Sequence, residues 1–329
     1  KVVLTNAGNW IHNFKKENKM EKTKIILDCD PGHDDAVAIM LAAKNPAIEL
    51  LGITVVAGNQ TLDNTQRNAL NIVQHLDLDV PVYAGCGQPM VRQKVTAGDI
   101  HGKTGLDGPV FAALTRELEK EHAVSFIVRT LMESAGDITM VTTGPMTNLA
   151  MAMRMEPRII EKIQKIVLMG GAYTNGNVTP AAEFNIFADA DAAHVCFSAG
   201  RPVVMVGLDV TRKALCYPAI VERMGKIGNK ASGLFVDLMG HFCRTQKEIF
   251  GWEGGPLHDP ITIAYLIDPT VLTLNAMNTE IEHRSIQSYG RTNCDYFGYM
   301  KREATADIAI DIDVEKFWDM VEDGLRLYS

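Results

Sequence analysis

Four aspartates lie within eight residues, in the segment DCDPGHDD: Asp28, Asp30, Asp34 and Asp35. The apolar run before them, residues 25–27, predicts a buried strand, and residues 36–43 after them predict a largely buried helix. The Pro-Gly pair between the acids marks a turn. The carboxylates therefore lie where the carboxyl end of a strand leads into the amino end of a helix.

These clustered carboxylates predict a cation site. Like charges repel strongly in a partly buried turn, and a helix dipole stabilises each of them by only about 0.3–1 kcal/mol. A bound cation would neutralise them, and ligands that are all oxygen favour calcium or magnesium over zinc. The alternative is that Asp34 and Asp35 cap the helix while the other two face water. The number of acids around one turn favours a metal or catalytic site.

Strands and helices alternate around this turn and along the rest of the chain. Apolar runs that predict strands occur at residues 25–27, 48–57, 80–84, 138–143, 165–169 and 202–206. This alternation predicts an α/β fold: a single-domain, doubly wound, mostly parallel sheet with helices on both faces. Ligands of such sheets bind outside the carboxyl ends of the strands, so the turns after these strands should open onto one pocket.

Two longer loops carry polar side chains toward the same edge. The first, residues 85–109, is rich in glycine and includes His101, and its length of about 25 residues is typical of functional lids. The second contributes Asn177, Glu183 and Asn185, whose amide and carboxylate groups suit a vicinal diol. Neither GxxxxGK[ST] nor GxGxxG, the phosphate-binding motifs, occurs in the sequence. Ordinary loop capping is the alternative for the three polar residues.

A later His-Asp pair precedes an apolar helical run. His258 and Asp259 stand directly before Pro260, and residues 260–267 predict a helix. A purely structural interpretation of the pair is that Asp259 caps this helix and His258 is a surface loop residue.

Composition narrows the class of protein. The chain has 329 residues, 47% of them hydrophobic, which is enough for one large domain with a full core. Its net charge of −8 argues against nucleic acid or an anionic membrane as partner. Six scattered cysteines without CxxC spacing suit reduced thiols in a cytoplasm. Residues 1–19 are predicted to be an N-terminal extension, and residues 20–329 the functional domain.

From about Lys24 to the C-terminus, the sequence resembles the nucleoside hydrolase family, the inosine–uridine-preferring ribohydrolases. The resemblance is carried by DCDPGHDDAVAI, by the TTG at residues 142–144 and by the His-Asp pair. It is strongest toward the bacterial pyrimidine-preferring members. It implies an enzyme that hydrolyses the N-glycosidic bond of ribonucleosides, preferring uridine and cytidine, to ribose and free base. Broad inosine–uridine specificity is the alternative.

The resemblance also implies roles for individual residues. One Ca²⁺ ion per subunit would be held by Asp30, Asp35, Asp259 and the main chain of Thr143. The ribose would be bound by Asp34, Asn59, Asn177, Glu183 and Asn185, with Met169 on the wall beneath the sugar. The base side would comprise His101, Gln246, Phe250 and His258. Asp30 would act as general base on a calcium-bound water, and His258 would protonate the leaving base.

The resemblance further implies a homo-oligomer, namely a tetramer. The sequence departs from the pyrimidine-preferring members at Phe250, where a tyrosine is expected.

Two competing functions remain. One is a metal-dependent phosphohydrolase in which Asp28 and Asp30 form an aspartyl-phosphate pair, although no clear phosphate-binding lysine accompanies them. The other is a non-catalytic protein that binds ribose or calcium.

Overall fold

The computed structural model describes residues 22–328, apart from the side chains of Asp99 and His101. The predicted extension, residues 1–19, and the predicted start of the domain at residue 20 lie outside the described residues. The described part of the chain contains twelve strands and twelve α-helices.

The strands are β1 (Thr23–Cys29), β2 (Ile48–Val55), β3 (Val82–Ala84), β4 (Ile138–Thr142), β5 (Ile163–Met169), β6 (Val203–Val206), β7 (Leu215–Cys216), β8 (Gly255–Pro256), β9 (Leu272–Met277), β10 (Thr279–Ile281), β11 (Thr292–Cys294) and β12 (Ala306–Ile312). The helices are α1 (His33–Lys44), α2 (Leu62–His75), α3 (Gly98–His101), α4 (Ala123–Glu133), α5 (Thr147–Met155), α6 (Phe184–Ala188), α7 (Ala190–Phe197), α8 (Leu208–Thr211), α9 (Pro218–Gly225), α10 (Lys230–Phe250), α11 (Pro260–Ile267) and α12 (Val314–Arg326). Two 3₁₀ turns span Pro157–Lys162 and Pro269–Val271.

Eight strands form the central sheet in the order β3-β2-β1-β4-β5-β6-β12-β9. Every neighbouring pair is parallel except β12 with β9. The chain order reverses between β1 and β4, and ligands of doubly wound sheets bind at such a reversal. The motif with four aspartates follows β1, so the topology places it at this point.

Helices cover both faces of the sheet, as predicted. Successive side chains of a strand point to opposite faces. Ile25 and Leu27 of β1 accordingly belong to the core that includes residues of α1, α2, α10, α11 and α12, whereas Ile26 belongs to the core that includes residues of α4, α5 and α7. Both faces of β1 are apolar and buried, which explains its continuous hydrophobic run.

Two boundaries differ from what the sequence predicts. Its apolar pattern predicts a helix over residues 117–134, but α4 begins at Ala123. The chain before it is bound to the edge strand β3 instead, since the N–H of Glu119 donates to the carbonyl of Val82. The sequence also predicts a strand-rich stretch over residues 271–291, which contains β9 and β10, while β11 starts only at Thr292. No helix within residues 22–328 is long and apolar enough to cross a bilayer.

Candidate active site

The turn from β1 into α1 presents two of the four aspartates in the first helical turn. Gly32 is the N-cap residue of α1, and its N–H donates to Oδ2 of Asp35 at 2.9 Å. Asp34 precedes Asp35 in the same turn, where free N–H groups and the helix dipole favour negative charge. The predicted placement of these two acids is therefore the one that the structure has.

A buried group of three carboxylates forms where this turn meets the start of α11. Asp34, Asp35 and Asp259 each offer an oxygen within 4.8 Å of the others. Oδ1 of Asp34 and Oδ2 of Asp259 are buried and have no hydrogen-bond partner among residues 22–328. Buried polar atoms are rarely left unpaired. Three buried carboxylates this close together, with oxygens that lack a partner, fit a hard divalent cation.

Asp30 lies beside this group and has one occupied oxygen. Oδ2 accepts a hydrogen bond of 2.6 Å from the main-chain N–H of Asn59, whereas Oδ1 is buried without a partner among the described residues. The side-chain amide of Asn59 donates to the carbonyl of Asp30 at 3.2 Å and to Oδ2 of Asp35 at 3.3 Å. Asn59 thus fixes Asp30 in place while leaving Oδ1 available as a ligand or proton acceptor.

Two glycines make room for the Asp30 carboxylate. A Cβ atom at Gly58 would lie 2.0 Å from Oδ2, and one at Gly144 would lie 2.5 Å from Oδ1. Both distances are far below van der Waals contact, so only glycine fits at the ends of the neighbouring strands.

Replacing Gly58 by alanine is therefore expected to lower kcat/KM by at least about 10²-fold, because a displacement of about 1 Å at a catalytic group has this effect. Steady-state kinetics of Gly58→Ala measures the change. The matched control is Gly233→Ala in α10, where the added methyl group meets nothing within 4 Å. It should keep full activity, and wild-type kinetics of Gly58→Ala would contradict the placement of Asp30.

Asp28 belongs to a different environment. Its Oδ1 accepts hydrogen bonds from the Thr54 hydroxyl at 2.6 Å and the Asn148 amide at 2.8 Å. Burial raises the pKa of Asp28 to about 7, against these two hydrogen bonds. Asn148 also accepts from the N–H of Cys86, so Asp28 joins β1, β2 and α5 beneath the site. Asp28, the first acid of the motif, therefore lies apart from the three-carboxylate group.

Burial dominates the electrostatics of the cluster. It raises the pKa of Asp34 to about 7, and the neighbouring Asp35 carboxylate adds to this increase. Burial also raises the pKa of Asp35, and it raises those of Asp30 and Asp259 well above the usual range, with nearby carboxylates as a further cause. A compensating positive charge is what would keep these groups ionised at neutral pH.

Thr143, directly after β4, contributes both its side-chain hydroxyl and its main-chain carbonyl to the site. The Thr143 hydroxyl donates to Oδ1 of Asp35 at 2.7 Å. The Thr143 carbonyl accepts from the Asn185 amide at 2.8 Å, and the same amide nitrogen donates to the Met169 carbonyl at 3.1 Å. Asn185 therefore ties the ends of β4 and β5 together. A carbonyl has two lone pairs, so that of Thr143 can accept this bond and still coordinate an ion.

The other two polar residues of the 172–189 loop have local partners. Both oxygens of Glu183 accept main-chain N–H groups, from Gly171 at 2.9 Å, Asn185 at 2.8 Å and Ile186 at 3.1 Å. Burial raises the pKa of Glu183, opposed by these bonds. Asn177 is exposed and accepts the N–H of Phe184 at 2.9 Å. The capping interpretation describes these contacts, and the predicted ribose contacts stay a prediction.

His258 directly precedes Asp259 and is partly buried. Its Nδ1 lies 2.7 Å from the Thr211 hydroxyl. Burial, followed by the positive charge of Arg212, lowers the pKa of His258 to about 3. The imidazole is consequently neutral at pH 7, and Thr211 orients it.

The remaining base-side residues come from α10 and the glycine-rich loop. Gln246 is 3% exposed, and its Oε1 has no hydrogen-bond partner among the described residues. Phe250, the last residue of α10, is half exposed, and its ring lies 5.2 Å from that of Trp252. His101 ends α3, which packs against α10. The side chain of His101 lies outside what the structure describes.

Comparison with known proteins identifies the family. Residues 25–319 match the family model described as inosine-uridine preferring nucleoside hydrolase. The chain belongs to this nucleoside hydrolase family. The predicted class of enzyme, a ribonucleoside hydrolase, is thereby confirmed.

Relatives of this nucleoside hydrolase cover nearly the whole chain. It is 55% identical to the pyrimidine-specific ribonucleoside hydrolase RihB of Escherichia coli, over 94% of this chain and 99% of the relative. Among solved structures, it matches a purine-preferring ribonucleoside hydrolase from Gardnerella vaginalis with a TM-score of 0.85 and 33% identity, over 92% and 99% of the two chains. The plant nucleoside hydrolase PpNRh1 matches with a TM-score of 0.86 and 28% identity, over 93% and 99%. The predicted fold is confirmed.

Sequence reasoning missed several residues that shape the site of this nucleoside hydrolase. Thr211, which orients His258, and Trp252, which packs on Phe250, carry no signal in a local motif. Asn148, which holds Asp28, lies far from it in the chain. Trp252 lies only two residues after Phe250 in the sequence, whereas the contacts of Thr211 and Asn148 depend on the folded chain.

Proposed function

We propose that this nucleoside hydrolase cleaves pyrimidine ribonucleosides, uridine and cytidine, to ribose and the free base, using one Ca²⁺ ion per subunit. The metal part of this proposal is supported by the buried group of Asp34, Asp35 and Asp259. Among the described residues, one oxygen of Asp34, one of Asp259 and one of the neighbouring Asp30 have no hydrogen-bond partner. The base half is supported by 55% identity to an enzyme named as pyrimidine-specific. Broad inosine–uridine specificity is the alternative, and the family description favours it.

The residues present fit a calcium ion. Asp30, Asp35 and Asp259 with the Thr143 carbonyl would supply only oxygen ligands, which suit Ca²⁺ and disfavour zinc. Asp34 lies among these acids, and we assign it to the ribose, so that the sugar-binding carboxylate stands next to the ion. When bound, the ion would supply a fixed positive charge and Lewis acidity for the ribose hydroxyls and the attacking water.

Asp30 is the proposed general base. Its Oδ2 is held by the N–H of Asn59, so Oδ1 is the oxygen that accepts the proton of the attacking water. Breaking the C1′–N bond develops positive charge on the sugar ring, and the carboxylates around it stabilise this charge. The rigid seating of Asp30 between Gly58 and Gly144 holds it in attack geometry.

His258 is the proposed proton donor to the leaving base. Its low pKa keeps the ring neutral before reaction. Negative charge that develops on the departing base raises the pKa of the imidazole, so one ring nitrogen can take a proton from solvent while the other gives its proton to the base. Gln246 offers a buried carbonyl oxygen that can accept a hydrogen bond from the N3–H of uracil or the amino group of cytosine. Phe250 offers an aromatic face and no hydroxyl.

We also propose a homotetramer in the cytoplasm that serves pyrimidine salvage and nucleoside catabolism. The tetramer rests on the resemblance. All six cysteines lie in the described part of the chain and none forms a disulfide, which supports a reducing compartment. Neither nucleic acid nor a membrane is among the proposed partners.

The test is hydrolysis of uridine, cytidine, inosine, adenosine and 2′-deoxyuridine, read by released reducing sugar. Uridine and cytidine should be hydrolysed fastest. The 2′-deoxynucleoside should lose at least about tenfold in kcat/KM, because a missing hydroxyl leaves buried polar partners unpaired at about 1–3 kcal/mol. Faster hydrolysis of inosine than uridine would overturn the pyrimidine assignment alone. No hydrolysis of any of the five would overturn the proposed reaction.

A further inference from the structure

A row of side-chain amides on α2 and the turn before it holds the chain that returns from the glycine-rich loop. Gln60, Asn64 and Asn68 are spaced four residues apart, which aligns them along one side of a helix. Their amide nitrogens donate to three successive carbonyls, those of Gly102 (3.0 Å), Lys103 (3.3 Å) and Thr104 (2.9 Å) respectively. We call residues 102–108 the clasped segment.

The far end of the clasped segment is held by the aspartate motif itself. Nε2 of His33 lies 2.8 Å from the Asp107 carbonyl. A carbonyl only accepts, so the Nε2 atom carries the proton. The His33 ring is fully buried and stacks on the rings of His241 and Phe242 in α10. Leu106, between these anchor points, is 3% exposed and packs into the core.

Asn68 differs from the rest of the row because it bonds two separate segments. Its Nδ2 donates to the Thr104 carbonyl and to the Pro31 carbonyl, both at 2.9 Å. One amide nitrogen has two hydrogens, so both bonds form at once. Pro31 directly follows Asp30 in the turn, and Asn68 itself is 2% exposed. The turn that carries the general base and the clasped segment are thus joined through one atom.

Gly105 permits this close approach. Its φ is +83° and that of Gly102 is +81°, in the region that glycine adopts readily. A Cβ atom at Gly105 would lie 3.1 Å from Nδ2 of Asn68 and 2.9 Å from Cγ of Gln60. The glycines of the loop therefore have a definite use, which is to bring its main chain against the amide row.

We infer that Asn68 is a positioning residue that keeps the Asp30 turn and the loop over the base side in register. The clasped segment begins directly after α3, so fixing the carbonyls of 102–104 fixes where α3 ends against α10. The inference rests on the proposed function in one respect, the assignment of His101 and Gln246 to the base side. Loss of the Asn68 amide should disturb both halves of the site together.

The experiment compares Asn68→Leu with wild type. Leucine has a similar shape but donates no hydrogen bond. Local opening is read by trypsin cleavage after Lys103, which is exposed within the clasped segment, with cleavage after Lys94 in the same loop as internal reference. Cleavage after Lys103 should rise about tenfold, the change expected for the loss of a buried hydrogen bond. For uridine, KM should rise and kcat fall, each by about three- to tenfold.

The matched control is Gln74→Leu. Gln74 is also on α2, and its amide also holds returning main chain, at Ala113, Thr115 and Arg116, but it does not contact the Asp30 turn. It should show wild-type cleavage after Lys103 and wild-type kcat and KM. If Asn68→Leu is unfolded by circular dichroism, Asn68→Ser replaces it, since serine is too short to bond both carbonyls.

A folded Asn68 variant with wild-type cleavage after Lys103 and unchanged kcat and KM would overturn the inference, even if its Tm were lower. Equal effects in Gln74→Leu would also overturn it, because the effect would then be general to α2. The cleavage pattern does not depend on turnover. A wild-type enzyme that left uridine intact would therefore defeat the proposed function while the protease result still decided the role of Asn68.

Discussion

Asp30→Asn is expected to lower kcat by about 10²–10⁴-fold, the usual contribution of a general base. The N–H of Asn59 donates to Oδ2 of Asp30, so the amide oxygen of the variant should take this position. Its NH₂ group would then stand at Oδ1, where it can neither accept a proton nor coordinate a cation. Steady-state kinetics with uridine at saturating Ca²⁺ separates the loss of the base from weaker ion binding.

Asp28→Asn is the matched control for this substitution. Asp28 is equally buried and lies in the same motif, but its Oδ1 accepts from Thr54 and Asn148. An asparagine oxygen can accept both bonds, so kcat should stay within about tenfold of wild type. A loss confined to KM in Asp30→Asn would point to a binding role, and equal losses in both variants would remove the distinction between the two acids.

Removal of the metal is expected to abolish turnover and to lower the Tm by roughly 5–15 °C. An ion present at about 100–1,000 times its Kd stabilises the folded protein by about 3–4 kcal/mol. Each kcal/mol corresponds to about 2–4 °C in Tm. Differential scanning calorimetry before and after chelation measures the shift. Calcium should restore both properties and zinc should not. A fully metal-stripped sample with undiminished activity would refute the metal requirement.

The pH dependence of the change in Tm on metal removal provides an internal check. Burial raises the pKa of Asp34 to about 7, above the value of about 3.9 for an unfolded aspartate, and Asp35 and Asp259 shift in the same direction. A raised pKa in the folded state stabilises the protein below the unfolded pKa, and this stabilisation is lost as pH rises through the folded pKa. The metal-free protein should therefore lose stability from about pH 4 to pH 8. The calcium-loaded protein should not, so the difference in Tm between the two forms should widen as pH rises. A constant difference would contradict the raised pKa values of the clustered carboxylates.

The sequence alone determined the fold class and the family, because both depend on local patterns. Apolar β-branched runs alternating with helical spacing specify a doubly wound sheet, since each element must bury one or both faces. Pro31-Gly32 between a buried strand and a buried helix placed Asp34 and Asp35 in the first helical turn, where the structure has them. These properties depend on neighbours along the chain, so they can be predicted without the fold.

Only the tertiary structure decided which acids meet. Residues two apart in an extended chain point to the same side, which would place Asp28 and Asp30 together. However, β1 ends at Cys29, and the two carboxylates have different hydrogen-bond partners. Asp259 joins Asp34 from a distant part of the chain. Which groups converge depends on how strands order in the sheet, and that order is set by packing over both faces rather than by any local pattern.

The same physical reason applies to Asn68. In the sequence it is one polar residue in an amphipathic helix, whose spacing with Gln60 and Asn64 is typical of a solvated face. The fold instead brings two separated main-chain carbonyls, those of Pro31 and Thr104, to its single amide nitrogen. Main-chain groups carry no side-chain signal in a sequence, so contacts made to them are visible only when the chain has folded around them.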